Sequence, residues 1–430
     1  MPDPPPNLLR RLAMVRKGET RILYWAAAYF FFLFMSYYLL RPMREAFGIA
    51  KGADKLPWLM TGTMAAMLLA NPLYAALVSR IPRRRFIPLT YHAFAATILV
   101  FWLAFRFLPG HGGTWAGYAF YVWLSVFNLF VVSVFWSLLD DLLTEEIGKR
   151  LFGLIAMGGT LGAIAGASLT AKLSEGFALG GLHVHADSPT LLLLAIAFLE
   201  AAVFCMKGLA ARASKVDLKP ATPEPGPGIL EGLRLVATSR YLQAICLYIL
   251  LYTLTSTLLY LLQGRIVEQT FQGQAARTAA FARLDTWANV LTLGLQVLLS
   301  GRILSGLGLR ATLCVLPILT LLSLGGLWAL PTFAVLAAVQ VSRRGLHYAV
   351  DRPAREILFI PLGADEKYKS KPFIDTFVYR GGDVLGVWTP TLLALLAVPV
   401  GAVGMAVSAG WLGTAVWLGR LRERMKAAAN

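Results

Sequence analysis

Charge is scarce in this chain, and acidic charge scarcest. Only 15% of the 430 residues are charged, and 40 Lys and Arg stand against 23 Asp and Glu, a net charge of +17. With 57% hydrophobic residues and a mean hydropathy of +0.63, this is not the composition of an ordinary soluble protein. Cysteine is nearly absent. Cys205, Cys246 and Cys314 stand singly within apolar runs, which excludes a disulfide framework or a thiolate metal site and leaves them as packing residues. No GxxxxGK[ST] phosphate-binding loop occurs. The GxGxxA string at Gly306, Gly308 and Ala311 has no strand before it, so it does not mark a dinucleotide site. His183, His185 and Asp187 read as a solvated outer loop. No nucleophile and base pair and no metal cluster stands out, so neither an enzyme nor a resident cofactor is expected.

Long hydrophobic runs are what the chain does have. Spanning a hydrocarbon core takes about 20 mostly apolar residues, and about 12 segments meet that test. They lie near 22–40, 58–79, 86–107, 115–139, 152–172 and 189–206, then 241–263, 282–300, 311–330, 331–350, 373–395 and 398–419. The expected fold class is an all-α polytopic membrane protein. Most of the 40 Lys and Arg fall on alternate inter-span segments, so the basic charge is topological and no nucleic-acid partner is expected. The positive-inside rule then places both termini in the cytoplasm, for a protein of the cell's inner membrane. Membrane lipid is the one partner that composition alone implies.

Between the sixth and seventh spans, KVDLKPATPEPGPG is too rich in Pro and Gly to form a packed element. The expected organisation is a six-span half over 1–206, a cytoplasmic linker over 207–240 and a second six-span half over 241–430. Six plus six is the layout of the major facilitator architecture, with substrate near the midplane between parallel halves. An internal repeat supports it. Trp136 to Gly162 and Asp351 to Gly386 each carry an acidic pair (Glu145 and Glu146; Asp365 and Glu366), a basic cluster, and a double glycine that opens an apolar run (Gly158 and Gly159; Gly381 and Gly382). Gly158, Gly162 and Gly166 also fall at four-residue spacing, which suits close helix packing.

Ionisable residues within spans are costly and therefore candidate functional groups. Arg41, Arg44 and Glu45 follow the first apolar run, with Pro42 between the arginines. Two readings stand for them: an interfacial anchor, or an anion-binding pair at a cavity mouth. Arginine suits phosphate because its planar fork donates two parallel hydrogen bonds and stays charged. Arg380 lies about 10 Å into the eleventh span, with Asp383 one turn on, so an internal ion pair and a substrate contact both fit. In the tenth span Arg343 and Arg344 point about 100° apart, so one of them at most faces the cavity, and Arg343 is the one expected to. The seventh span places Tyr252, Thr253, Thr255, Ser256 and Thr257 together, and the fourth offers Ser125 and Asn128 beside Trp123 and Trp136. Such hydroxyls usually bond back to their own helix; a polar cavity wall is the alternative.

These residues carry a family resemblance. Asp351, Pro353, Arg355, Glu356, Ile360, Pro361, Leu362, Asp365, Glu366 and Lys367, then Lys371, Ile374, Asp375, Arg380, Gly381 and Gly382, resemble the nucleotide transporters of plastids and intracellular bacteria, the ATP:ADP antiporter family. The stretch LLRPMREAFGIAKG resembles that family's first-helix motif, and Phe120 to Ser174 is also similar. The resemblance implies an antiporter of a small anionic solute, a nucleotide, with phosphate held by basic residues. The family's first-helix lysine falls on Arg44, its tenth-helix basic residue near Arg343, and the lysine before its double glycine on Arg380. Its fourth-helix glutamate falls near Ser125 and its seventh-helix glutamate near Thr255 or Ser256. That departure leaves two couplings open: plain exchange of anions, or coupling through Asp383. Proton-coupled transport of another solute and a non-transporting sensor or scaffold are the alternative functions.

Overall fold

A computed structural model describes residues 19–80, 83–108, 110–143, 145–179, 182–213, 229–298 and 300–429. The linker 214–228 and the first 18 residues lie outside them. Nearly every described residue is helical. In order, α1 is Glu19–Gly48, α2 Leu56–Arg80, α3 Arg83–Phe107, α4 His111–Leu142, α5 Glu145–Glu175 and α6 Ser188–Ala213. A two-stranded hairpin, Phe177–Leu179 with Leu182–Val184, joins α5 to α6. Beyond the linker come α7 (Ile229–Thr238), α8 (Arg240–Thr270), α9 (Gln274–Leu298), α10 (Ser300–Ala329) and α11 (Phe333–Leu346). Then α12 (Arg352–Leu358), α13 (Ala364–Phe373), α14 (Tyr379–Leu395) and α15 (Val400–Ala429) complete the chain.

The apolar runs expected to span a membrane fall on these helices. Eight of them are long and apolar enough to cross one, among the described residues: those containing 19–48, 86–107, 111–140, 150–175, 188–212, 240–270, 308–329 and 400–425. The segments expected at 331–350 and 373–395 are interrupted by turns of π-helix at His347–Asp351 and Ile374–Val378. Within α10, Gly308 has φ 72°, a left-handed conformation that favours glycine, and the helix kinks there.

By contact the chain divides into two units. The first holds Met1–Lys51, Ala65–Pro223 and Gln272–Thr286; the second holds Gly52–Met64, Glu224–Phe271 and Trp287–Asn430. In the first unit α1 is the central element, packed on α4, α5 and α6. Its aromatic face makes the core, with Phe30 stacked on Phe135 at 4.0 Å and Tyr29 hydrogen-bonded to Tyr91. Pro42 donates no amide hydrogen, so the Tyr38 carbonyl loses its intrahelical partner. The Thr170 hydroxyl of α5 lies 3.5 Å from that carbonyl, while donating at 3.0 Å to Gly166 O. In the second unit α8 is central, packed on α14 and α15.

The repeated glycines show why the two stretches match. On α5 a Cβ at Gly158 would lie 2.5 Å from the Ala27 carbonyl oxygen and one at Gly166 2.6 Å from that of Met35, with Gly162 tighter still against Phe31. On α14, a Cβ at Gly382 would collide with Thr253 and one at Gly386 would lie 2.8 Å from Thr257 Cβ. In each unit, a glycine-bearing helix thus lies against the unit's central helix with no room for a methyl group. Replacing Gly162 with alanine is expected to cost about 1–3 kcal/mol through overpacking. Gly153→Ala, with nothing within 4 Å of the new methyl, should be neutral or slightly stabilising. Thermal unfolding of the two variants in detergent checks the contrast.

Candidate functional site

In the second unit, the residues around Tyr252 of α8 form a buried polar cluster. His347 stacks on the Tyr252 ring at 4.5 Å, with an interplanar angle of 13°. The guanidinium carbons of Arg343 and Arg355 lie 5.6 and 5.1 Å from the same ring's centre, in cation–π range. One carboxylate serves this cluster. Asp351 accepts a 2.6 Å hydrogen bond from the Tyr248 hydroxyl, contacts His347 Nδ1 at 3.2 Å and forms an ion pair with Arg355 Nε at 3.3 Å. The turn of π-helix and the helix after it supply this geometry. His347, Asp351 and Arg355 are spaced by four residues, so they share a face, and the widened turn carries that face inward.

Arg343, the one of the two arginines expected to face the cavity, is 5% exposed. Its Nε donates to Thr320 Oγ1 at 3.1 Å and its second amino nitrogen to Ser256 Oγ at 2.5 Å. Both partners are neutral, and Arg343 forms no ion pair with a described carboxylate. Among the described residues the cluster thus holds two guanidiniums and one carboxylate, which pairs with Arg355 and not with Arg343, an excess of one positive charge even with His347 neutral. A buried charge without compensation is expensive, which favours a bound anion.

The remaining candidates are committed to carboxylates. Arg380 reaches Asp383 at 3.4 Å, one turn away, and the Thr257 hydroxyl donates to the same aspartate at 3.4 Å. This is the internal ion pair, with Gly381 beside it facing open space. In the first unit Arg41 pairs with Asp285 of α9 at 2.7 Å. Arg44 pairs with Glu45 at 2.7 Å, donates to the Tyr121 carbonyl and lies 3.8 Å over the Tyr121 ring. The structure thus brings Arg343, Arg380 and Asp383 onto helices that flank α8, and places Arg41 and Arg44 together on α1.

Most hydroxyls of the seventh span do bond back to their helix: Thr253, Thr255 and Ser256 donate to the carbonyls of Leu250, Leu251 and Tyr252. Ser125 does the same to Tyr121 at 3.4 Å. Ser256 also accepts from Arg343, and Thr257 donates across to Asp383. Trp123 stacks on Phe120 and Phe127, and Trp136 packs on Phe30, Phe135 and Phe152, so both rings have aromatic neighbours within the first unit. Asp187, in the loop before α6, caps that helix. Its carboxylate accepts from the hydroxyl and amide of Thr190, which hold it below the usual carboxylate range. Lys369 and Lys371 of the polar segment pair with Glu231 and Glu356 at 2.8 and 2.6 Å. The side chain of Asp365 lies outside the described set.

His347 was not among the residues singled out in the sequence; Tyr252 was named only with the polar set of the seventh span, and Asp351 and Arg355 only within the family motif. The four-residue ladder of His347, Asp351 and Arg355 was the signal that could have found three of them.

The fold and this site define a class. Similar architecture is found in a POT family transporter in complex with 5-aminolevulinic acid (TM-score 0.58, 13% identity, 93% of this chain and 94% of that one). It recurs in an auto-inhibited POT family peptide transporter (0.63, 11%, 94% and 97%). A bacterial homolog of the human lysosomal transporter Spinster, inward-facing and unoccupied, gives 0.53 at 12% identity over 96% of both chains. The fold is therefore an all-helical, multi-pass one like that of these transporters. A family model described as TLC ATP/ADP transporter matches residues 111–422, and the chain belongs to that family. Arg343, Arg380 and Asp383 fall within the matched stretch; Arg41 and Arg44 precede it. ADP,ATP carrier protein 1 of Chlamydia trachomatis serovar D is 20% identical over 346 residues, 71% of this chain. The match spans 65% of that relative, just under two thirds of its length.

Proposed function

We propose that this chain is a secondary transporter that exchanges adenine nucleotides of the ATP/ADP type across the cell's inner membrane by alternating access. One observation carries the reading. Arg343 is buried at 5% exposure with only hydroxyl partners, beside a second guanidinium that pairs with the cluster's one described carboxylate. Intramembrane cations so placed mark substrate paths, and a phosphate is the anion that matches a guanidinium fork. In this reading Arg343 holds phosphate, and Arg380, Arg44 and Arg41 exchange their carboxylate partners for substrate oxygens during the cycle. Asp383 then keeps Arg380 compensated whenever the site is empty. Both termini lie in the cytoplasm, with 1–206 and 241–430 as the two halves and 207–240 as their cytoplasmic connection; the distribution of Lys and Arg supports this.

Ser256 gives the reading a sharp test. The family resemblance puts a glutamate at Thr255 or Ser256, and a carboxylate at Ser256 would neutralise Arg343. Ser256→Glu is expected to weaken ATP and ADP binding at least tenfold while leaving the protein folded, as read by the nucleotide-dependent rise in melting temperature. Unchanged affinity in the Glu variant would remove Arg343 from the phosphate site.

A further inference from the structure

The second unit holds a cavity of about 270 Å³ that none of the candidate substrate residues lines. Leu258, Leu261, Leu324, Trp328, Pro390 and Gly404 line it, from α8, α10, α14 and α15. One charged side chain joins them, Arg265 of α8. Volume and lining both argue against a nucleotide. Sites that enclose a drug-sized ligand run to ~300–1,000 Å³ and carry several polar groups, whereas here a single cation tops an apolar slot.

Position identifies the source of the occupant. Arg265 lies five residues before the end of α8, about 7 Å along the axis, and Trp328 lies one residue before the end of α10. Around this end of the unit Trp328, Leu330, Leu395 and Leu396 are exposed, at 72%, 62%, 79% and 70%. In a membrane-spanning chain such a collar faces the bilayer, with the tryptophan at headgroup level. The cavity opens among residues that touch lipid. Arg265 is itself exposed there and makes no hydrogen bond or ion pair with a described residue. A guanidinium near the bilayer boundary gains from an anionic group, and each such cation near anionic lipid is worth roughly a fivefold preference.

We propose that this cavity is a lipid site, which takes one acyl chain of an anionic phospholipid while the lipid's phosphate sits on Arg265. The chain runs from Arg265 past Leu261 toward Leu258, about 10 Å along α8. Gly401 and Gly404 of α15 leave the slot open: a Cβ at Gly401 would meet Trp328 at 3.4 Å, ordinary contact distance. A larger side chain at Gly401 therefore enters the cavity without disturbing the backbone.

Native mass spectrometry of the full-length protein, delipidated in detergent and offered equal phosphatidylglycerol and phosphatidylcholine of the same chain length, tests this. The first lipid retained is expected to be phosphatidylglycerol by about fivefold. Arg265→Gln should bring the ratio close to one, Arg265→Lys should keep most of it, and Gly401→Leu should lower retention of both lipids. Glycerol 3-phosphate, which has the headgroup charge and no chain, should not displace the bound lipid. Equal retention of the two lipids by the wild type would overturn the proposal. So would a preference that survives Arg265→Gln, retention untouched by Gly401→Leu, or displacement by glycerol 3-phosphate. None of these readouts depends on nucleotide transport.

Discussion

Arg343→Gln should abolish the nucleotide-induced rise in melting temperature without lowering the melting temperature of the empty protein. The two halves of that result have one cause. In the empty site Arg343 is a buried cation with hydroxyl partners alone, so neutralising it removes an unfavourable charge and leaves stability unchanged or higher. In the proposed function phosphate supplies the missing counter-charge, and removing one partner of a desolvated charge pair costs about 2–5 kcal/mol of binding, at least thirtyfold in Kd. Arg343→Lys keeps the charge but not the fork, and should retain part of the affinity. Thermal unfolding with and without ATP measures both halves. A variant that binds nucleotide as the wild type does, or an empty variant that unfolds well below it, contradicts the assignment.

Asp351→Asn is expected to act in the opposite direction, through stability. Asp351 is 1% exposed and is the carboxylate shared by Arg355, His347 and Tyr248. Its loss leaves Arg355, whose side chain is 13% exposed, as an uncompensated and largely desolvated guanidinium, a change that costs about 3 kcal/mol. The melting temperature should fall sharply. Arg355→Gln introduced into the Asp351→Asn background should restore part of the loss, because the two residues are in contact and their effects do not add. Additive losses in the double variant would show that the ion pair is not the source. The contrast with Arg343 would separate a cation held for the fold from the one proposed to hold a ligand.

Much of the fold was legible before any coordinates, because the periodicity of a membrane helix is written in hydropathy alone. The runs at 22–40 and 241–263 became α1 and α8, each the central helix of its unit. The glycine repeat was legible for the same reason: Gly158, Gly162 and Gly166, like Gly382 and Gly386, are spaced to fall on one helical face, and that face meets a partner helix. Long-range pairing was not legible. Arg41 meets Asp285, 244 residues away, and Tyr248 meets Asp351, 103 residues away. Nothing local to either residue encodes such a partner. The π-helical turn at 347–351 was hidden as well, because one extra residue per turn leaves the hydropathy pattern nearly unchanged. It alters which side chains converge, and thereby gathers His347, Asp351 and Arg355 around Tyr252.

Arg41 and Arg44 show how sequence position and role come apart. Their place after an apolar run allowed an anchor or an anion site. The structure gives each a carboxylate, Asp285 and Glu45, both buried. A phosphate would have to compete with those carboxylates, whereas at Arg343 it would compete with none among the described residues. That difference is why Arg343 carries the functional reading.

The most direct test is uptake of labelled ATP into liposomes that contain the purified protein, loaded with ADP or left empty. Exchange predicts rapid uptake into ADP-loaded vesicles, little into empty ones, and no response to an imposed proton gradient. Uptake into empty vesicles driven by a proton gradient, or no uptake under any loading, would contradict nucleotide exchange.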